Sequence, residues 1–206
     1  MSASLPNLGP QMWNQRYSAA EFAFGTEPNG FLTSVADRIP KGRVLCLAAG
    51  EGRNAVYLAQ LGCEVTAVDS SEVGLDKAQR LASDRGVTLK TTLADLADYT
   101  ITPHHWDAIV SIFAHVPPEI RKPLHRQVVD GLRSGGVFVL EAYTPQQLQY
   151  GTGGPPIEEL TMSLETLKAE LAGLAFQRGV ETEREVVEGK YHSGQSALVQ
   201  VLAAKP

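Results

Sequence analysis

Val44-Leu45-Cys46-Leu47-Ala48-Ala49-Gly50-Glu51-Gly52-Arg53-Asn54 reads as an apolar strand running into a glycine turn and then into a helix. Nineteen residues beyond Gly50, after a second apolar strand, Val65-Thr66-Ala67-Val68, comes Asp69. Glycine lets backbone approach a ligand where a Cβ would collide. An acid at the tip of the next strand can accept hydrogen bonds from ribose hydroxyls. Together they mark a crevice for a nucleoside.

Working outward, strands are expected at 43–48, 63–69, 88–93, 106–112 and 136–142, with helices at 53–61, 72–84 and from Pro118 onward. The second of these helices carries Leu75, Ala78, Leu81 and Ala82 on one face, and the third places Ile120, Leu124, Val128 and Leu132 at fourfold spacing. Strand–helix alternation implies a parallel sheet with helices on both faces. The order breaks after a helix at 163–171. Two strand-like runs, Phe176 to Glu188 and Ser196 to Ala203, are joined through the turn formers of 189–194. The expected fold is therefore α/β: a doubly wound, mostly parallel seven-stranded sheet with an antiparallel C-terminal hairpin. Upstream, a helix is expected over Trp13 to Phe22, then the turn run Gly25 to Gly30, then helical spacing of Phe31, Leu32, Val35 and Ile39 up to Pro40. The organisation expected is one domain over 1–206, with residues 1–10 mobile, lid helices at 11–42 and the sheet core at 43–206.

Composition narrows the partners. The net charge is −5 with no basic cluster, which makes nucleic acid a poor partner. No apolar run is long enough to cross a bilayer, and the first residues lack the pattern of a secretory signal, so a cytoplasmic protein without a membrane partner is expected. Cys46 and Cys63 fall in strand segments and are expected to remain unpaired thiols. His104, His105 and His125 lack metal-ligand spacing, and no metal is expected.

Gly50-Glu51-Gly52-Arg53-Asn54-Ala55 also satisfies G-x-G-x-x-A, so the turn alone leaves an NAD-dependent reductase open. Three features point elsewhere. The chain offers no further region to hold a dehydrogenase substrate. Asp95, just past strand three, is placed to accept from an exocyclic adenine amine, although a lone aspartate there also suits a turn. A terminal hairpin stands where the dinucleotide fold would supply a sixth parallel strand.

With those residues in view, the chain resembles the class I S-adenosylmethionine (AdoMet) methyltransferases over nearly its whole length. The glycine turn matches the first motif of that family, Val65 to Asp69 the second, Ala94-Asp95-Leu96 the third and Asp107 to His115 the fourth. Leu132 to Leu140 matches the turn and fifth strand. The opening Trp13-Asn14-Gln15-Arg16-Tyr17, with Phe24-Gly25-Thr26-Glu27-Pro28-Asn29, is similar to the small tellurite-resistance and thiopurine branch, whose N-terminal segment folds over the cofactor. Three positions depart from the family. Cys46 stands in place of an acid, Ala48 in place of a glycine, and Ser70 in place of an apolar residue.

The resemblance implies S-adenosyl-L-methionine as cofactor, bound by Arg16, Ala48, Ala49, Gly50, Asp69, Ser70, Ala94, Asp95, Leu96 and Ile112. Arg16 would pair with the methionine carboxylate, and the carbonyls of Leu47 and Ala48 are first candidates for the ammonium. Trp13, Tyr17 and Phe24 would close over the sulfonium or serve as core anchors. Glu51 and Asn54 would touch the cofactor or serve the helix start. Arg53 opposes the dipole of its helix and reads as holding a carboxylate, with Glu27 a candidate. His115 is the acid–base candidate, though a histidine before Pro117-Pro118 also suits a structural role. Tyr143, with Glu141, is placed to line the substrate opening. The implied function is methyl transfer by in-line displacement to a small-molecule or metalloid acceptor. A non-catalytic sensor of AdoMet or S-adenosylhomocysteine is the alternative that the substitutions at Cys46 and Ala48 keep open. The fourth motif has no Asn-Pro-Pro-Tyr-like sequence, which argues against methylation of a base's exocyclic amine.

Overall fold

β1 (Arg43–Leu47) is apolar on both faces and lies third in a seven-stranded sheet, with strands on either side. In the computed structural model, which describes residues 9–206, it pairs in parallel with β2 (Glu64–Asp69) on one side and β4 (Trp106–Ile112) on the other. β3 (Lys90–Leu93) extends the β2 side, and β5 (Leu132–Tyr143) pairs in parallel with β4. β7 (Ser193–Ala204) then inserts antiparallel between β5 and β6 (Ala175–Val187), giving the order β3-β2-β1-β4-β5-β7-β6. This is the doubly wound, mostly parallel sheet with an antiparallel hairpin that the sequence predicts.

Alternation along β1 splits the core in two. Val44 and Cys46 face one layer with Leu58, Leu75 and Leu81, contributed by α3 (Arg53–Gln60) and α4 (Glu72–Asp84). Leu45 and Leu47 face the other with Leu124, Val128 and Leu167, from α5 (Pro118–Gly131) and α6 (Leu164–Glu170). Cys46, which stands where the resemblance implies an acid, is thus a core residue. Burial pushes its thiol up to about 12, so it stays protonated.

Element bounds differ from expectation chiefly at α1, α2 and the start of β5. α1 spans Pro10–Tyr17 rather than reaching Phe22, because the backbone of 19–24 is tied by side chains of the sheet core instead of by helical bonds. α2 is short (Gly30–Ser34) and is followed by a 3-10 turn over Ala36–Arg38. β5 begins at Leu132, four residues before the expected start, with a register shift opposite Trp106/Ala108 that absorbs the glycine turn as an irregularity in the strand. The expected mobility of the first residues falls mostly outside the described residues, and Pro10 already opens α1. Cys46 and Cys63 are free thiols. Among the described residues no helix is long and apolar enough to cross a membrane.

The chain order reverses beside β1, and the crevice opens there at the carboxyl ends of the parallel strands. β6 runs parallel to β5, since each is antiparallel to β7. The β6–β7 turn must therefore return to that same edge.

Candidate functional site

A cavity of about 740 Å³ occupies this edge. Its floor is the glycine turn. Gly50 adopts φ +55°, and its N–H donates to Asp69 Oδ2 at 2.7 Å, while the Ser71 N–H donates to Oδ1 at 2.8 Å. A Cβ on Gly50 would sit 2.9 Å from the Tyr17 hydroxyl, which is why the position must be bare. Asp69 is buried, and burial raises its pKa against the lowering pull of the Ser71, Gly50 and Ser70 amides. Two amides fill about half of the lone-pair capacity of a carboxylate, and the remainder is free for a ligand. Ala48 is left-handed as well, at φ +48°. The family glycine is missing here, but the backbone that glycine serves is retained, at a cost in strain.

Arg16, Ala48, Ala49, Gly50, Asp69 and Ser70 all line the cavity, as do Asp95, Leu96 and Ile112. Ala94 does not. Its N–H donates to the Asp69 carbonyl at 3.0 Å, which fixes the tip of β3 from below. Asp95 fills both of the roles open to it: Oδ1 accepts from the Ala97 N–H at 2.9 Å in a turn, and the residue faces the cavity.

The N-terminal segment forms a roof held by buried polar contacts. Lys77 Nζ donates to Glu51 Oε1 (2.6 Å) and to the carbonyls of Ala19 and Glu21, and Glu51 Oε2 accepts from the Ala23 N–H at 2.7 Å. Asn54 Oδ1 accepts from the Asn29 N–H, and Ser71 Oγ donates to Asn14. Glu51 and Asn54 thus hold the roof. Trp13 stacks on Tyr17 at 5.6 Å, Tyr17 meets Phe24 edge-on at 6.3 Å, and all three rings line the cavity. Arg16 lies between the Trp13 and Tyr191 rings, 5.1 and 4.8 Å from their centroids, with no carboxylate partner among the described residues.

The far wall is aromatic. Phe113, itself at φ +56°, stacks on Tyr143 at 4.8 Å, and Tyr143 stacks on His115 at 5.5 Å. His115 and Tyr143 both line the cavity, but His115 is not placed as a base. Its Nδ1 donates to the Leu160 carbonyl at 2.8 Å and its Nε2 accepts from the Tyr143 N–H at 3.4 Å. Burial lowers its pKa to about 4. A neutral ring with both nitrogens engaged by backbone has no lone pair left to offer. Tyr143 presents its ring; burial raises its phenol to about 12, and the hydroxyl lies beside Ser196.

Two further expectations need correction. Glu141 is fully buried and does not face the opening. It accepts from Asn29 Nδ2 (2.6 Å), Arg184 (2.9 Å) and Gln200 (2.7 Å). The carboxylate held by Arg53 is Glu188, at 2.6 Å, whereas Glu27 offers Arg53 its carbonyl and pairs its side chain with Arg85. Asn29, Arg53, Glu141, Arg184 and Glu188 form one buried network beneath the roof. Sequence reading missed this network, and it missed Tyr191 and His192 on the cavity wall. Strand direction was the available signal, since a hairpin whose second strand inserts beside β5 puts its turn at the ligand edge.

Residues 44–136 match the methyltransferase domain family. That stretch, a little under half of the chain, holds the glycine turn and Asp69, and its resemblance is to a methyltransferase domain. Among curated proteins this domain is similar to the uncharacterized methyltransferase YbaJ of Bacillus subtilis (strain 168), with 29% identity over 111 residues, covering 53% of this chain and 44% of that protein. The chain thus spans less than half the length of that relative. Among solved structures, TehB from Haemophilus influenzae is similar to the chain with a TM-score of 0.72 and 21% identity, over 96% of this chain and 67% of that one. A structure from work on the conversion of a disulfide bond into a thioacetal group during echinomycin biosynthesis matches with a TM-score of 0.76 and 18% identity, over 95% and 91%. At these identities the structural likenesses establish the methyltransferase fold alone. The family's cofactor is S-adenosyl-L-methionine.

Proposed function

We propose that this protein transfers a methyl group from AdoMet to a small acceptor in the cytoplasm, at the cavity between the glycine turn and the aromatic wall. The observation that carries this reading is the buried Asp69 carboxylate, fixed by the Gly50 and Ser71 amides with capacity left over beside a bare turn. Ribose hydroxyls match that spare capacity. Asp95 Oδ2, with Leu96 and Ile112 beside it, suits the adenine amine and ring. Ser70 borders the ribose position, and Ala48 and Ala49 border the methionine chain. The unpaired guanidinium of Arg16 suits the methionine carboxylate.

AdoMet, when bound, supplies a methyl group on a sulfonium that a nucleophile displaces in line. The protein's own part is alignment and exclusion of water, which is positioning catalysis. Trp13, Tyr17 and Phe24 cover the position of the cation and attract it by their ring faces. His115 fixes the Leu160 loop against β5 and so shapes the acceptor side, and Tyr143 gives that side a flat face.

Calorimetric titration with AdoMet tests the cofactor assignment, and radiolabelled methyl transfer to an acceptor panel tests turnover. Micromolar binding with methyl transfer to some acceptor supports the reading. Absence of binding refutes it, and tight binding with a blank panel would favour the sensor.

A further inference from the structure

The acceptor side of the cavity is built from Phe113, Tyr143, Tyr191, Leu160, Pro155 and Ile120. The charged groups on the cavity wall are largely committed elsewhere. Glu51 is bound to Lys77, Arg53 to Glu188, and Asp69 to two amides. Arg16 sits in the roof between two rings. His115 has both nitrogens engaged by the backbone.

His192 stands apart. It lines the cavity and is 9% exposed, yet among the described residues no protein group hydrogen-bonds to either ring nitrogen, and Nδ1 is shut off from solvent. The rings of Phe24 and Phe113 grip the imidazole at 4.5 and 4.4 Å, and Tyr143 meets it edge-on at 5.6 Å. The turn that carries it is fixed by the Glu188 N–H to the His192 carbonyl (2.7 Å) and by the Lys190 N–H to the Ala23 carbonyl (2.9 Å). Nδ1 cannot be reached from the cavity, so Nε2, which is not shut off in this way and has no protein partner among the described residues, is the nitrogen open to a donor from a ligand.

We propose that the methyl acceptor is an uncharged, flat, largely apolar molecule that presents one O–H or N–H to the imidazole of His192. This rests on the AdoMet reading above. An oxyanion, metalloid or carboxylate, would be desolvated against aromatic rings, because Arg53 is held by Glu188 and Arg16, over the Tyr191 ring, is taken by the methionine carboxylate in the AdoMet reading. Ring faces favour a flat partner. A thiol is a weak donor and would leave the imidazole poorly satisfied.

During transfer, the acceptor's heteroatom lone pair closes on the methyl carbon as the carbon–sulfur electron pair withdraws to sulfur. The acceptor's proton passes to the His192 nitrogen, and then to water when the product leaves. The cavity keeps the same net charge, because imidazolium forms as the sulfonium is discharged. Burial, with Arg53 nearby, lowers the His192 pKa to about 3, so the ring waits neutral for a proton that turns strongly acidic only as the methyl bond forms.

The test is calorimetry on the full chain at pH 7, first with S-adenosylhomocysteine alone. The saturated protein is then titrated with 2-naphthol, 2-methoxynaphthalene and tellurite. 2-Naphthol is expected to bind about tenfold tighter than 2-methoxynaphthalene, and tellurite not to bind. His192→Phe should bring the two naphthalenes level, and His192→Gln, which keeps a hydrogen-bonding group, should restore part of the preference. Failure of 2-naphthol to bind, equal affinities in the unaltered protein, tight tellurite binding, or a preference that survives His192→Phe each overturns the inference and leaves the AdoMet reading standing. Absence of S-adenosylhomocysteine binding overturns both.

Discussion

On the wall formed by the tips of β1 and β2, a ligand meets backbone amides, a left-handed turn and one carboxylate. On the wall formed by β4, β5 and the β6–β7 turn, it meets aromatic rings and two imidazoles. The first wall comes from two short segments, 48–50 and 69–70, held in place by neighbouring parallel strands. The second is assembled from residues as far apart as Phe113, Tyr143, Leu160 and His192. It is held by side-chain contacts and by the Glu188 network beneath it. Backbone chemistry suits a ligand that never changes, and side-chain chemistry suits one that can differ between proteins.

The largest expected effect tests what supports the second wall. Glu188→Ala leaves the buried Arg53 without its carboxylate and should destabilise the fold by about 3–5 kcal/mol in urea denaturation. A loss below 1 kcal/mol would mean that the network does not carry this wall.

Acid should act chiefly through the second wall as well. Burial holds His115 at about 4 and His192 at about 3, below their ordinary 6.5. As the pH falls through about 6.5, unfolded rings take up protons that the folded rings refuse. Stability is therefore full above that pH and declines toward pH 4, by about 1–3 kcal/mol per ring. Comparing urea midpoints at pH 7.5 and 4.5 should show the decline, and His192→Phe should remove a good part of it. An unchanged slope in that variant would contradict the burial of His192.

The first wall should respond in affinity. Asp69→Ala removes an acceptor for two amides and for the ribose, and AdoMet binding should weaken by about 10- to 100-fold in calorimetry. Arg16→Ala should cost about tenfold. If Arg16→Ala weakens an acceptor analogue and leaves AdoMet untouched, that guanidinium belongs to the other wall. The smallest effect is a gain. Ala48→Gly relieves a left-handed alanine and should raise stability by about 0.5 kcal/mol, the relief being partly offset by a more flexible unfolded chain. A loss in thermal denaturation would show that the methyl group is packed rather than strained.

The same contrast explains what was legible in the sequence. Strand and helix periodicity, the glycine turn and Asp69 are local patterns, and they give the parallel sheet, its antiparallel hairpin and the edge where a cofactor is expected. Only Ala94 among the expected contacts turns away, because the tip of β3 is fixed through its backbone. The acceptor side depends on partners brought together by folding. Asn29 meets Glu141 and Glu188 across 112 and 159 residues, and no spacing rule reports that. His115 looked available because of its strand-end position, and only its two backbone partners show otherwise.

The Lys190 N–H to Ala23 carbonyl bond joins the N-terminal roof to the β6–β7 turn beside the cavity. During synthesis the glycine floor and the residues that hold the roof, Glu51, Asn54, Ser71 and Lys77, are made long before residue 190 emerges, so a nascent chain lacks the β6–β7 turn on the cavity wall. The aromatic wall is therefore the last part of the cavity to be completed, and a chain cut short after β5 would have floor and roof without Tyr191 and His192.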